Sequence, residues 1–516
     1  MLKVRHCLSA YRVEIALFIL LIPLALVQLD SVPPAWFDEG WSLSLARNWV
    51  ERGHYGHLFL GQPVPSTILN AGLPMLAPIA LSFRLLGVGL WQGRLPGALL
   101  ALASLGLLYR LTSHLYQRRT ALVTLGIVLG LSVHPHMNPL FMGRYAMGEI
   151  YVIFYVLVGY LSFWKGWEAW PYLALSAVAW GAALQTKPQA APFLVLALAL
   201  PAGLAWIQRQ PRVAWRLSAA LVGTLGVSWA IRRFEIGVLN GGNDPYQALQ
   251  NLDVLFTYVL SLNIKSRIFA LTSLALLIGT LQLFGLVYVA GKWLKSHSHL
   301  PMLHERTLVL KSSLWIFGAS WYLWYVGFSI GWPRYLYPAA MVVSFFAAHM
   351  LDELTEGFNL RASLEQGSAI FKRPLVLKAW ALTGLFILVL SAAVLSLKYL
   401  LGEFARSDAS LYEVAWFLNQ DADPNAVSEV YDSELYFLLD RPYHYPPNEV
   451  QHQLNQRFFF GASIPITYNP LTEVKIAYLV VGDMTRFWGF DQVLLADPAW
   501  HLVLNTGLYQ VYARIP

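Results

Sequence analysis

The stretch Trp36-Phe37-Asp38-Glu39-Gly40-Trp41 decides how this chain reads. It follows the first long apolar run, Arg12 to Leu29, just past the Pro33-Pro34 stop. Two adjacent carboxylates therefore stand where a membrane helix emerges into water. Acids at such a boundary are costly and are as a rule functional. The plain alternative is that both are solvated first-turn acids that suit a helix dipole.

Composition supports the membrane setting. Of 516 residues, 57% are hydrophobic and only 13% charged, and the mean hydropathy is +0.50. Repeated apolar runs near twenty residues make this a polytopic membrane protein. The net charge of +7 belongs to cytoplasmic loops in such a protein, so it is not read as nucleic-acid binding. The lone Cys7 excludes an intrachain disulfide and a cysteine-based metal site. Lys3, Arg5 and Arg12 precede the first run without a small-residue cleavage pattern, so that run reads as a retained span with a cytoplasmic N-terminus.

Asp38 and Glu39 then emerge outside. Gly40 to Val50 carries Trp41, Leu45 and Trp49 on one stripe and reads as a short interfacial helix. Gly53 to Ser66 reads as loop. Ala71 to Leu86 contains Pro74, Pro78 and Arg84 and reads as a second interfacial or re-entrant helix. The expected spans after it are Leu95–Leu111, Ala121–Val133, Ile150–Trp164, Pro171–Leu184, Pro192–Ile207, Leu217–Ile231, Ile268–Ala290, Leu314–Ile330, Leu336–Leu351 and Leu375–Leu397. That gives about eleven crossings. It puts Arg118-Arg119, Arg209, Arg212, Arg216, Lys292, Lys295 and Lys372-Arg373 inside, as the positive-inside rule asks, with Arg232-Arg233 the exception. No internal repeat is visible.

An odd number of crossings leaves the polar tail outside. Within it, Asp408 to Gln420 reads as an amphipathic helix with Ser410 and Glu413 at capping-box spacing. Ala426–Val430, Ala477–Val481 and Leu508–Ala513 read as strands, and Pro442–Pro447 as loop. The expected fold is thus an all-α polytopic membrane domain over residues 1–402, with outer juxtamembrane helices, and a small extracytoplasmic α/β domain over residues 403–516.

Topology brings several ionisable residues to the same outer face: Asp38 and Glu39, Arg144 and Glu149, Lys187, and Arg334. Such a set suits a site that binds an anion and moves a proton. Each has a structural alternative. Arg144 and Glu149 can pair with each other, Lys187 can snorkel to headgroups, and Arg334 beside Tyr335 can anchor at the interface. Arg232, Arg233, Lys265 and Arg267 read best as lipid-headgroup contacts, with contact to a lipid-linked substrate the alternative. His54 and His57 with Asp38 or Glu39 form a set that suits zinc, and equally serve as ordinary loop residues. His134-Pro135-His136, His297 and His299 have no ligand spacing. There is no phosphate-binding glycine loop, dinucleotide fingerprint or nucleophile elbow, so a nucleotide substrate is unsupported, and an activated donor can instead be delivered within the membrane.

Phe37-Asp38-Glu39-Gly40, followed by Leu45-Ala46-Arg47-Asn48 and Gly53, resembles the first outer loop of C-type membrane glycosyltransferases. The protein O-mannosyltransferases and the lipid A aminoarabinose transferase are the closest in kind. The resemblance continues in Gly143-Arg144 with Glu149, in Thr186-Lys187, and in Pro333-Arg334-Tyr335-Leu336-Tyr337-Pro338. The polar tail resembles the outer soluble domain that many members carry.

The resemblance implies an inverting transferase at the inner (plasma) membrane, with a polyprenyl-phosphate-linked sugar as donor and a lipid, protein or polysaccharide as acceptor. Asp38 matches the catalytic acid of the first loop. Glu39 and Glu149 are further acidic candidates, Lys187, Arg334 and Arg144 the donor-phosphate candidates. No cofactor is fixed by the residues, and a divalent metal is compatible with them. Rival readings are a transporter or flippase of lipid-linked sugars, and a non-catalytic subunit of an envelope assembly. A transporter favours repeated halves and interrupted midplane helices, whereas these charges cluster at one face.

Overall fold

In the computed structural model, described over residues 11–65, 71–244, 259–276, 279–296, 305–359, 377–421, 423, 425–464 and 468–514, the expected apolar runs are helical. Lys3, Arg5, Cys7, His297, His299, Lys372 and Arg373 lie outside the described residues. Among the described residues, Leu90–Leu115, Pro188–Ile207, Pro211–Leu239 and Thr383–Phe404 are long and apolar enough to cross a membrane singly. A fifth is added if the bent pair Ile264–Ala275 and Thr280–Lys295 counts as one span. The run expected as one span, Ile268–Ala290, is therefore broken in two. Gly279 stands at the break with φ +93, a conformation that suits glycine.

The helix Leu73–Leu86 has 14 residues, about 21 Å of rise against a hydrocarbon core near 30 Å. Its length falls short of that thickness, as does that of the 13-residue helix Arg118–Gly130. Thr383–Phe404 has only 6% of its apolar window buried in protein, so its remaining surface suits lipid.

The juxtamembrane helix is longer and less exposed than the sequence suggested. It spans Phe37–Arg52. Pro33 and Pro34 prevent an earlier start, Trp36 is extended, and Gly53 closes the helix at φ +66. Ser42 to Asn48 are all buried, so the helix is not a surface element with one wet face. It is packed between Leu73–Leu86 and the tail domain. Gly40 shows why: a Cβ there would lie 2.2 Å from the Ser433 carbonyl oxygen. The Ser433 hydroxyl donates to the Phe37 carbonyl across the same contact, at 2.5 Å.

Gly53 to Ser66, expected as loop, holds a hairpin of β1 (Gly56–Phe59) and β2 (Gln62–Pro65). Its two-residue turn places Leu60 at φ +53 and Gly61 at φ +76. Leu60 N–H donates to the Tyr443 carbonyl, tying the hairpin to the tail.

The tail carries a five-stranded sheet in the order β4-β3-β5-β7-β6. β3 (Val427–Val430) pairs in parallel with β4 (Tyr443–His444) and β5 (Ile476–Val481). β7 (Tyr509–Arg514) pairs antiparallel with β5 and with β6 (Trp500–Thr506). The alternation of the sequence pointed to β3, β5 and β7. It missed β6 and the two-residue β4, which falls inside the expected loop Pro442–Pro447. The expected helix begins at Ser410 and runs to Trp416 before widening over Phe417–Asp421. Ser410 is not its capping residue: the cap position is Ala409, without a side-chain bond, and Asp408 Oδ1 accepts from Ser410 N–H instead. Leu411, Val414, Val430, Leu435 and Tyr436 share one continuous apolar core with the membrane helices.

Candidate active site

The site forms where the juxtamembrane helix, the start of Gly148–Gly166, the turn after Trp170–Thr186 and the turn Pro333–Tyr335 meet. All four lie at the end of the bundle that carries the tail. Asp38 is the first-turn acid that points toward it. One guanidinium nitrogen of Arg334 donates to Asp38 Oδ2, and the Trp36 indole donates to the same oxygen at 3.1 Å. Burial alone would push this carboxyl up. The Arg334 charge and hydrogen bond, the indole and, further off, Lys187 outweigh it and hold Asp38 below the ordinary carboxylate range.

Arg334 Nε stands 4.0 Å from Glu149 Oε1, and the Lys187 ammonium donates to that same oxygen. Glu149 Oε2 is buried and has no hydrogen-bond partner among the described residues. Gly148 makes room for the lysine: a Cβ there would lie 3.1 Å from Lys187 Cγ. The Lys187 ammonium stands 5.9 Å from the Tyr335 ring centre, and the Arg334 guanidinium 5.4 Å from it. Two acids and two cations are thus chained in the order Asp38, Arg334, Glu149, Lys187. Glu149, Lys187 and Arg334 line a recess with Val152, Gln189, Trp321, Tyr335 and Pro338. Its walls offer fixed cations, a carboxylate, an amide and aromatic faces. Such a set suits a phosphate group and a polar ring.

Glu39 does not join this recess. Successive residues on a helix point about 100° apart, so the neighbour of Asp38 faces inward. Glu39 is fully buried. Its carboxylate accepts from Trp36 N–H at 2.8 Å, from Ala146 N–H at 3.0 Å, and from Arg94 Nε at 3.1 Å and Nη2 at 2.5 Å. Arg94 also donates to the carbonyls of Leu29 and Pro33. Arg144 likewise points away from the recess. It is fully buried and donates to the carbonyls of Leu24, Val27, Gln28 and Val32. Leu24 and Val27 close the first apolar helix, Arg12–Leu26, and Gln28 and Val32 lie in the turn after it; the guanidinium satisfies carbonyls that have no partner within the helix.

Sequence reasoning missed Arg94. An arginine in the first turns of the apolar run Leu90–Leu115 was the available signal, since a buried charge demands a partner. It also missed Glu235, which is fully buried and accepts from Tyr55 hydroxyl at 2.6 Å, Gln185 Nε2 at 2.8 Å and Leu73 N–H at 2.9 Å. That carboxylate ties the first loop to the helix that ends beside Lys187.

The histidines considered for zinc lie elsewhere. His54 Nε2 is 3.0 Å from the Val64 carbonyl. His57 packs edge-on against Trp41, ring centres 4.9 Å apart, and burial lowers its pKa to about 4. Among the described residues no three His, Cys, Asp or Glu side chains group as metal ligands. Of the proposed headgroup cations, Arg232 pairs with Asp244 and Arg267 donates to the Val326 and Ser329 carbonyls.

A family model described as dolichyl-phosphate-mannose-protein mannosyltransferase matches residues 74–231. No curated protein matches the chain. Among solved structures, ArnT from Cupriavidus metallidurans bound to undecaprenyl phosphate superposes with a TM-score of 0.63 at 14% identity, over 98% of each chain. The oligosaccharyltransferase of Archaeoglobus fulgidus superposes at 0.52 and 11% identity, over 97% of this chain and 74% of that one. AglB from the same organism, in complex with an inhibitory peptide and a dolichol-phosphate, superposes at 0.51 and 12% identity, over 98% and 75%. The resemblance read from the sequence is thus met by the mannosyltransferase pattern over residues 74–231, and the fold is shared with ArnT and the archaeal oligosaccharyltransferase over nearly the whole chain.

Proposed function

We propose that this chain is an inverting membrane glycosyltransferase that moves a sugar from a polyprenyl-phosphate donor to an acceptor at the outer face of the membrane. The observation that carries the reading is the chain Asp38–Arg334–Glu149–Lys187, whose last three members line one recess. The proposed topology keeps about eleven crossings, with residues 403–516 outside.

In this mechanism Arg334 and Lys187 hold the donor phosphate. The recess itself is only water-sized, so the sugar lies over its mouth, between Asp38 and Glu149, and the isoprenoid tail lies among the helices. As Arg334 turns to phosphate, its hold on Asp38 weakens, and the carboxylate becomes a better base. Asp38 takes the proton from the acceptor hydroxyl or amine as that group attacks the anomeric carbon. The bond from that carbon to the phosphate oxygen breaks, and the electron pair leaves with the lipid phosphate. Negative charge grows there, and the two fixed cations stabilise it. Attack from the opposite face inverts the anomeric configuration. Glu39, Arg94 and Arg144 are positioning residues that fix the loop bearing Asp38.

The test uses the purified protein in nanodiscs with radiolabelled polyprenyl-phosphate sugars and an envelope extract. Label should pass from donor to an extractable product, and Asp38→Asn should not support that passage. Donor consumption equal in the two proteins would remove the mechanism. The fold relatives that hold undecaprenyl phosphate and dolichol-phosphate support the choice of donor class.

A further inference from the structure

The tail helix Asn448–Phe460 is graded along its axis rather than around it. Its first residues are Asn448 and Glu449, its last Arg457-Phe458-Phe459-Phe460. Phe458 is 51% exposed and packs on Phe487, itself 52% exposed, with ring centres 5.2 Å apart. Exposed aromatic pairs are unusual on a surface that faces only water. Gly461 follows directly, and a Cβ there would lie 3.2 Å from Lys265 Nζ. Lys265 stands in the first turn of Ile264–Leu276, where Ile264 is 70% and Ile268 59% exposed. Phe458 lies three residues, about 4.5 Å of helical rise, before Gly461, which stands against the Lys265 ammonium at the start of that apolar helix. Glu449 lies about 18 Å from Gly461 along the tail helix, taking 1.5 Å per residue.

We propose that the C-terminal end of Asn448–Phe460 rests in the headgroup layer of the bilayer. Phe458 and Phe487 enter the boundary with the acyl chains, while Arg457 and Lys265, both exposed, meet lipid phosphates. Aromatic rings beside basic side chains are the composition that this layer selects, and cations complement an anionic lipid surface. On the other flank, Phe458 touches Trp488 at 5.8 Å, and Trp488 packs on the cluster that holds Phe37, Tyr431 and Phe490. The lipid surface thereby props the wall behind Phe37, the residue before Asp38. The inference rests on the multi-pass reading and not on the transfer reaction, so seating and catalysis can fail separately.

The experiment uses the full chain with Cys7→Ser, carrying one nitroxide at Arg457→Cys, at Phe487→Cys or at Glu449→Cys, in nanodiscs of about three parts phosphatidylethanolamine to one of phosphatidylglycerol. Collision rates with oxygen, which concentrates in lipid, and with a water-soluble nickel chelate are compared. The ratio of oxygen to nickel collisions should be about threefold or more higher at positions 457 and 487 than at 449. Adding Phe458→Asp with Phe487→Asp should bring the ratio at 457 down to that at 449. Equal ratios at all three positions would overturn the proposal. So would a high ratio at 457 that survives loss of both rings.

Discussion

Asp38 and Glu39 are adjacent in sequence and face different surroundings: Asp38 meets Arg334 at the rim of the recess, whereas Glu39 meets Arg94 in the interior. The side chain of Asp38 is 24% exposed and that of Glu39 fully buried. One carboxylate is reachable by a substrate and the other is not, and the predictions follow from that division.

Asp38→Asn keeps the size of the side chain but removes the proposed base. Transfer should fall by about 10²-fold or more, the usual worth of a positioned general base. The thermal midpoint in detergent should stay near that of the parent. A variant that unfolds would not test catalysis, so the midpoint is measured alongside donor turnover.

Glu39→Gln and Arg94→Met should behave oppositely. Breaking a buried ion pair leaves an uncompensated charge or an unfilled donor set and costs about 3–5 kcal/mol. Arg144→Met should act in the same direction, because four carbonyls lose their donor. Folded yield and thermal midpoint should drop for all three. Whatever folds should retain the parent KM for donor. A large rise in donor KM for Arg144→Met, with normal stability, would return that residue to the phosphate site.

Lys187→Met and Arg334→Met should raise donor KM by about tenfold or more, since hydrogen bonds to charged groups contribute roughly 1.5–3 kcal/mol. Arg334→Met should also lower kcat, because the leaving phosphate is stabilised most in the transition state. The measurement is steady-state kinetics over a donor series. An unchanged KM in both variants would place the phosphate elsewhere.

Acid titration gives an independent check on Asp38. A carboxyl held below its unfolded value contributes stability above that unfolded value and loses it as pH falls through the folded one. The same depression keeps the base ionised through neutral pH. In Arg334→Met the depression is relieved, so the acid limb of kcat/KM should move to higher pH. A limb at the same pH in parent and variant would show that Arg334 does not hold the carboxylate in solution.

Glu434 in the tail offers the reverse sign. Burial, with Asp432 and Glu39 nearby, pushes its carboxyl well above the ordinary range. One oxygen accepts from Tyr509 at 2.9 Å, and the other is buried with no partner among the described residues. A raised carboxyl contributes full stability below its unfolded value and loses it as pH rises through the folded one. Glu434→Gln does not titrate, so it should raise the thermal midpoint near pH 8. The gain should shrink toward pH 4. Melting curves at the two pH values decide it.

What the sequence determined by itself was the pattern of apolar runs, the polar tail with three of its strands, and the residue types needed at the recess. Those follow from hydropathy, alternation and the cost of charge near lipid, which are local properties. Arg94, Arg144 and Glu235 illustrate what only the tertiary structure decided. Their partners lie 50 or more residues away, and nothing in a single strand of sequence says which of two adjacent acids turns inward. The hairpin after Gly53 and the burial of the juxtamembrane helix were hidden for the same reason, because both depend on the tail domain folding back over Gly40 and Leu60. Composition decides that charges near a bilayer need partners; the packed fold decides which partners they find.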